Sequence, residues 1–327
     1  MDSDTATLAS TSCIIRICLA ASCLQPCIFV SHHPKTTPNW IDYALLIALS
    51  LIFGSSFVFT SISVRDIPPL TVVTLRLGIA LILLCVFVFY SRAKLPAPGR
   101  IWIYIIASAL FGNAIPFSLI SWGQVTVEAG LTAIFMAVMP LATIFLAQFF
   151  TDDEKLNRWK IASVLCGLAG VIILMGPAEL GTIGDDTIRQ LAILSAAVCY
   201  AINAIITRKL VTLPRLPMVT ALLLSSTALM LPICLMIDQP WQVSYTLPAI
   251  NSVLVLAAGP TAFATWLILV IIDRQGASFL SQINFILPLV AVALGSYFLA
   301  ERLPVNAYIA LGVILLAIAL SRRGEQK

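Results

Sequence analysis

From Trp40 onward the chain alternates long apolar runs with short polar punctuation. Runs long enough to cross a ~30 Å hydrocarbon layer as a helix need about 20 residues. They fall at 40–63, 71–91, 101–121, 126–149, 159–176, 189–209, 216–237, 249–272, 277–299 and 304–321. Between them stand segments such as RDIPPL, RAKLPAPGR, TDDEKLNR, GPAELGTIGDD and DQPWQ, in which Pro, Gly and charge end a helix. The runs are continuous rather than alternating, and about twice the length that a membrane strand requires, so they predict helices and not a barrel. The expectation is an all-α integral membrane protein of ten spans.

Composition strengthens that reading. Hydrophobic residues make up 60% of the 327 and charged residues 10%, against about 45–50% and about 25% in a soluble domain. The net charge of +4 is small and scattered, which gives no basic stripe for nucleic acid; the expected partners are the lipid bilayer and a small-molecule substrate. Placement of the charge says more than its total. With the residues before Trp40 on the cytoplasmic side, fifteen of the nineteen Lys and Arg fall on that side, Arg65, Arg189 and Arg302 on the other, and Arg76 inside the second run. Positive charge collects on cytoplasmic loops, so both ends of the helical unit are expected in the cytoplasm.

The text also repeats. When the chain is cut between the fifth and sixth runs, the fourth helix of each half carries a proline, Pro140 and Pro288, then Leu, and a Phe ten residues on, Phe150 and Phe298. After one residue of slippage come Glu154-Lys155-Leu156 and Glu301-Arg302-Leu303. Five helices per half is an odd number, so the halves enter the membrane from opposite sides. Inverted repeats of this kind are a transporter architecture, with substrate held at the repeat interface near mid-bilayer. The expected organisation is an N-terminal extension over 1–39, repeat 1 over 40–176, a linker over 177–188, repeat 2 over 189–321 and a tail over 322–327.

FGSSFVF (53–59) with Pro68-Pro69 and Arg76, ISWGQ (120–124), the block 129–156, GLAGV (167–171) and the block 276–303 together resemble the EamA-type transporters of the drug/metabolite transporter superfamily. The resemblance covers 40–321, with Phe53 where that family usually has Trp, and Ser163 and Ala310 where a glycine is common. It implies a multi-pass carrier of small metabolites, such as amino acids or related compounds, in a bacterial inner membrane. Alternatives of the same helical architecture are an intramembrane enzyme and a passive channel. The former needs clustered carboxylates for Mg²⁺, and the pair Asp152-Asp153 stands at a helix end with no partner cluster; the latter needs a re-entrant or repeated polar filter.

Polar groups within spans are the binding candidates, because each costs free energy unless paired or facing water. Ser281, Asn284, Pro288 and Gly295 fall at offsets close to one helical face, as do Ala133, Met136, Pro140 and Ala147 in the other half. Substrate contacts are therefore assigned to Asn284, Ser281 and Met136, and on other helices to Tyr200, Asn203, Asn113 and Trp266. For each, helix packing or an interfacial position is the structural alternative. Glu128, at the start of the fourth run, suits a helix N-terminus and is otherwise an ion-coupling candidate together with Arg76. For Arg76 the alternatives are snorkelling to a headgroup or pairing with Asp66. Pro140 and Pro288 are expected to serve as hinges, or as static kinks. No metal, catalytic residue or cofactor is expected: the cysteines at 13, 18, 23, 27, 85, 166, 199 and 234 have no zinc spacing, even with His32-His33 near, and the four within spans read as small core residues. The small-residue pairs Ser163/Gly167 and Cys166/Gly170 let the fifth helix dock closely, within the bundle or across a homodimer. Residues 1–39 read as a disordered or surface-lying tail, or as a start assigned too far upstream.

Overall fold

The computed structural model describes residues 38–150, 158–175, 185–243 and 245–325. The N-terminal cysteines, His32-His33 and the Asp152–Leu156 stretch lie outside the described residues. The helices of the described residues belong to one compact unit, Lys35–Lys327.

The described residues form helices α1 (Trp40–Ser63), α2 (Pro69–Ser91), α3 (Ile101–Gly123), α4 (Ala129–Phe150) and α5 (Arg158–Met175), then α6 (Asp185–Thr207), α7 (Arg215–Ile237), α8 (Leu247–Gln275), α9 (Ile283–Phe298 with a short lead, Ala277–Leu280) and α10 (Val305–Glu325). Seven helices among the described residues are long and apolar enough to cross a membrane: α1 to α4 and α6 to α8. Their starts follow local chemistry. Asn39 and Asp42 form a capping box on α1, and Pro69 sits in the first turn of α2, where a missing N–H has no intrahelical partner to lose.

Prolines and breaks shape four of the helices. A π-helical turn, Leu110–Ala114, interrupts α3, and another, Ala257–Phe263 with Pro260 inside it, interrupts α8; such turns absorb a residue that the regular ladder cannot place. In α4 the ladder breaks at Ala137-Val138, so that Pro140 is the second residue of the segment Met139–Phe150. In α9 the break is at Ser281-Gln282, six residues before Pro288. The fourth helices of the halves thus resemble each other in sequence but are interrupted at different registers.

The principal helix pairings map onto themselves when the halves are exchanged, although α1 on α4 and α2 on α3 have no comparable match in the second half among the described residues. α2 packs on α7, α5 on α10 and α4 on α9, while α1 packs on α8 and α9 as α6 packs on α3 and α4, and α2 on α8 as α3 on α7. A pseudo-two-fold axis relating two five-helix halves requires that pattern. The small-residue stripe of α5 is taken up inside the chain: a Cβ on Gly170 would meet Ile314 of α10 at 2.7 Å, and one on Gly167 would overlap Leu141 of α4. The outside carries large apolar side chains, including Ile82, Phe87, Leu165 and Leu316, a surface suited to lipid rather than water. Of the four span cysteines only Cys234 is buried; Cys85 is exposed and Cys166 and Cys199 are intermediate.

Candidate functional site

Two ends of the bundle can be told apart by polar contacts between helix ends and the turns beside them. At one, the Asp238 carboxylate accepts from the backbone N–H of Thr71 at 2.7 Å and from its hydroxyl at 3.0 Å, and Asp66 accepts from the Thr246 hydroxyl at 2.6 Å. At the other, the buried Asp42 accepts from Arg274 Nε and Gln275 Nε2, both at 2.7 Å, and Arg215 pairs with Asp273. The first is called the 64–68 end, the second the 92–100 end.

Between them lies a cavity of about 470 Å³ lined by α1 to α4 and α6 to α9, a volume that suits a small-molecule site. Its apolar wall includes Phe53, Phe57, Met136 and Met139, and its polar groups include Arg76, Asn113, Tyr200, Thr261 and Asn284. No Asp or Glu is among the lining residues. The proline and π-turn irregularities of α3 and α8 reach this wall through Gly112, Asn113, Pro260 and Thr261.

Arg76 is 8% exposed. Its Nε donates to Thr261 Oγ1 at 2.8 Å, and its guanidinium carbon lies 4.0 Å from the centre of the Phe117 ring. Thr261 Oγ1 in turn donates to the Leu256 carbonyl at 2.8 Å, a bond the π-turn makes reachable. Phe117 meets Tyr200 edge to face, ring centres 6.5 Å apart. The side chain neither snorkels nor pairs with Asp66, which is engaged by Thr246.

The other sequence-derived candidates divide. Asn284, Tyr200, Asn113, Met136 and Pro288 line the cavity with Arg76. Asn113 is partly occupied, its Nδ2 donating to Ser226 Oγ at 3.0 Å. Asn203 is turned to α3, where its Oδ1 accepts from Ser108 at 2.5 Å and its amide fills the space a Cβ on Gly112 would take; it is not among the lining residues. Trp266 is exposed and stacks on Phe263 with ring centres 5.4 Å apart. Ser281 is exposed in the α9 break, so helical spacing no longer aligns it with Asn284. Thr261 and Phe117 were not singled out from sequence, although Gly259-Pro260-Thr261 within an apolar run is the signal that marks that stretch.

At the 64–68 end α4 and α9 are clamped. The Glu301 carboxylate accepts from the backbone N–H of Ala129 at 2.7 Å and of Gly130 at 2.9 Å, capping α4 from the opposite half. A Cβ on Gly295 would lie 3.3 Å from the Gly130 nitrogen, so two glycines are what let the backbones approach. Towards the 92–100 end the two helices take other partners: Met139–Phe150 packs on α6 and α5, and Ala277–Leu280 on α8. Glu128, at the N-cap of α4, makes no side-chain cap; partial burial, and then the neighbouring Glu301 carboxylate, push its carboxyl above the ordinary range. Among the described residues no cluster of metal-binding side chains occurs.

The model of the EamA-like transporter family matches residues 40–176 and again 187–323. The uncharacterized transporter YoaV of Bacillus subtilis is 25% identical over 84% of this chain and 94% of its own length. The uncharacterized inner membrane transporter YedA of Escherichia coli K12 is 27% identical over 86% of this chain and 91% of its own, and protein PagO of Salmonella typhimurium 25% over 85% and 91%. A crystal structure that is 20% identical superposes with a TM-score of 0.61, covering 87% of this chain and 97% of the other, a likeness of fold.

Proposed function

The chain belongs to the EamA-like transporter family, and from that premise we propose that it is a secondary-active exporter of small metabolites of amino-acid size in a bacterial inner membrane. All ten helices cross the bilayer, the halves 40–176 and 189–321 are inverted copies, and both ends of the unit lie in the cytoplasm. The observation that carries the reading is the cavity of about 470 Å³ held between exchangeable halves, below a clamp of α4 on α9 at one end only. A carrier requires a site that one end can reach at a time. Here Ala133 and Met136 of α4 face Asn284 and Pro288 of α9 across the site, and the clamp sits one to two turns beyond them. Breaks at Ala137-Val138 and Ser281-Gln282 supply places where each helix can bend, next to Pro140 in α4 and preceding Pro288 in α9. The fold supports a monomer as the transport unit; a homodimer requires a surface other than the α5 stripe.

The test is counterflow in proteoliposomes. Preloading with unlabelled substrate accelerates and saturates labelled entry through a carrier; a linear, unsaturated flux refutes the reading. Impermeant labelling of single cysteines at Lys94 and Arg302 checks orientation, with Arg302 expected on the periplasmic face.

A further inference from the structure

The cavity holds one full charge and nothing that neutralises it. The Arg76 guanidinium has five N–H donors and cannot be deprotonated in proteins. One donor is spent on Thr261 and one face on Phe117. The four N–H groups of its two terminal nitrogens have no hydrogen-bond partner among the described residues, and the side chain is 8% exposed where it lines the cavity. A buried cation without a counter-charge is costly, and the lining offers only neutral side chains. The carboxylates of Asp42 and Asp273 are engaged by Arg274 and Arg215 at the 92–100 end. Asn284 shows no side-chain hydrogen bond among the described residues, and with Tyr200 it is left to meet a neutral polar group; Phe53, Phe57 and Met136 offer the apolar remainder.

We propose, resting on the carrier reading above, that the substrate is a small organic monoanion, a carboxylate on an apolar body without an amino group, held bidentately by the terminal nitrogens of Arg76. The planar fork matches a carboxylate, and one positive charge suits one negative charge. An α-amino acid fits worse. Its ammonium, adjacent to its carboxylate, lies about 5 Å from the guanidinium, and like-charge repulsion at an effective dielectric of about 20 lowers affinity by roughly a few hundredfold with no acidic side chain to offset it.

The probes are four compounds of one shape: 3-phenylpropanoate, phenylalanine, 3-phenylpropanamide and 3-phenylpropylamine, titrated into the purified full chain with chloride replaced by a bulky inorganic anion. The expected order is acid, then amide, then amino acid and amine. Arg76→Gln weakens the acid about 10- to 150-fold, the worth of a charge-assisted pair, and leaves the amide within about threefold; Arg76→Lys falls between. An equal loss for acid and amide means that Arg76 only shapes the cavity, and overturns the assignment. Phenylalanine or the amine binding ahead of the acid also overturns it, while saturable counterflow of the better ligand leaves the carrier reading standing. Chloride that saturates the site and is not displaced by the acid assigns Arg76 to an inorganic ion instead. Binding by none of the four, with no counterflow in a folded protein, removes both.

Discussion

Glu301→Ala is expected to release the clamp at the 64–68 end without disturbing the cavity below. The side chain supplies both acceptors for the first two backbone N–H groups of α4, at 2.7 and 2.9 Å, and Ala129 and Gly130 are buried, so water replaces it poorly while the helices stay together. Each charge-assisted bond is worth about 1.5–3 kcal/mol; with Glu301 itself half-buried the lower figure applies to each. The helix N-terminus adds about 0.3–1 kcal/mol. The clamped arrangement therefore loses about 3.5 kcal/mol relative to one in which α4 and α9 separate and solvent caps α4, a shift of about 400-fold. Glu301→Gln keeps one acceptor and loses about half of this. The reporter is Ala133→Cys, a cavity position 2% exposed beneath the clamp, in a background without native cysteines. Labelled from the 64–68 side by an impermeant maleimide, it should react slowest with Glu301, faster with Gln and fastest with Ala. Equal rates in all three would show that the glycine contact and the surrounding apolar packing close this end, and that the carboxylate does not.

The clamp should respond to pH through Glu128. Its carboxyl is raised above the ordinary value by partial burial and by Glu301, so the clamped form binds a proton more readily than the separated one. Its contribution is present below the usual carboxylate range and is lost as pH rises through the raised value. Ala133→Cys labelling should accelerate across that window, and Glu128→Gln should flatten the profile; an unchanged profile points to another group. Gly112→Ala places a Cβ 2.6 Å from Asn203 Nδ2, which should lower stability by about 1–3 kcal/mol; an unaltered melting temperature contradicts the packing. Asp42→Ala removes the acceptor shared by Arg274 and Gln275 and the α1 capping box, and is expected to cost about 1–3 kcal/mol, with Asp42→Asn milder; thermal unfolding reads both.

The repeat was legible because hydropathy, proline and the Glu-basic-Leu endings survive in one dimension. Arg76 was visible as a charge in a span, but not its direction: Asp66 is close in sequence, and only the fold assigns it to Thr246. Helical offsets found Tyr200 and Asn284 but placed Asn203 and Ser281 with them. Asn203 does not reach the cavity, because Gly112 lets α3 come close enough to take its amide. Ser281 is not among the lining residues, because the ladder breaks there and a break cancels the 3.6-residue rule. The π-turns of α3 and α8 leave no hydropathy trace, since they alter the hydrogen-bond ladder and not the composition; Thr261 owes its bond to Leu256 to one of them.

The charge in the cavity also dictates how transport responds to voltage. The empty site carries the Arg76 cation, and the site loaded with a monoanion is neutral, so the step that moves charge across the membrane is the return of the empty carrier. Each 100 mV acting on one charge is worth about 2.3 kcal/mol, or about fifty-fold in the ratio of substrate across the bilayer at steady state. An inside-negative potential draws the empty, positive site to face the cytoplasm, which the positive-inside count assigns to the 92–100 end, away from the Glu301 clamp. Export of the anion then needs no coupled proton, in keeping with a lining without carboxylates. Proteoliposomes holding a valinomycin-set potassium potential should therefore accumulate or lose 3-phenylpropanoate by that factor, with Arg76→Gln abolishing the voltage dependence of the empty return. Transport that ignores the potential but follows an imposed pH gradient would mean that a proton travels with the anion, and Glu128 is the first residue whose replacement should then uncouple the two.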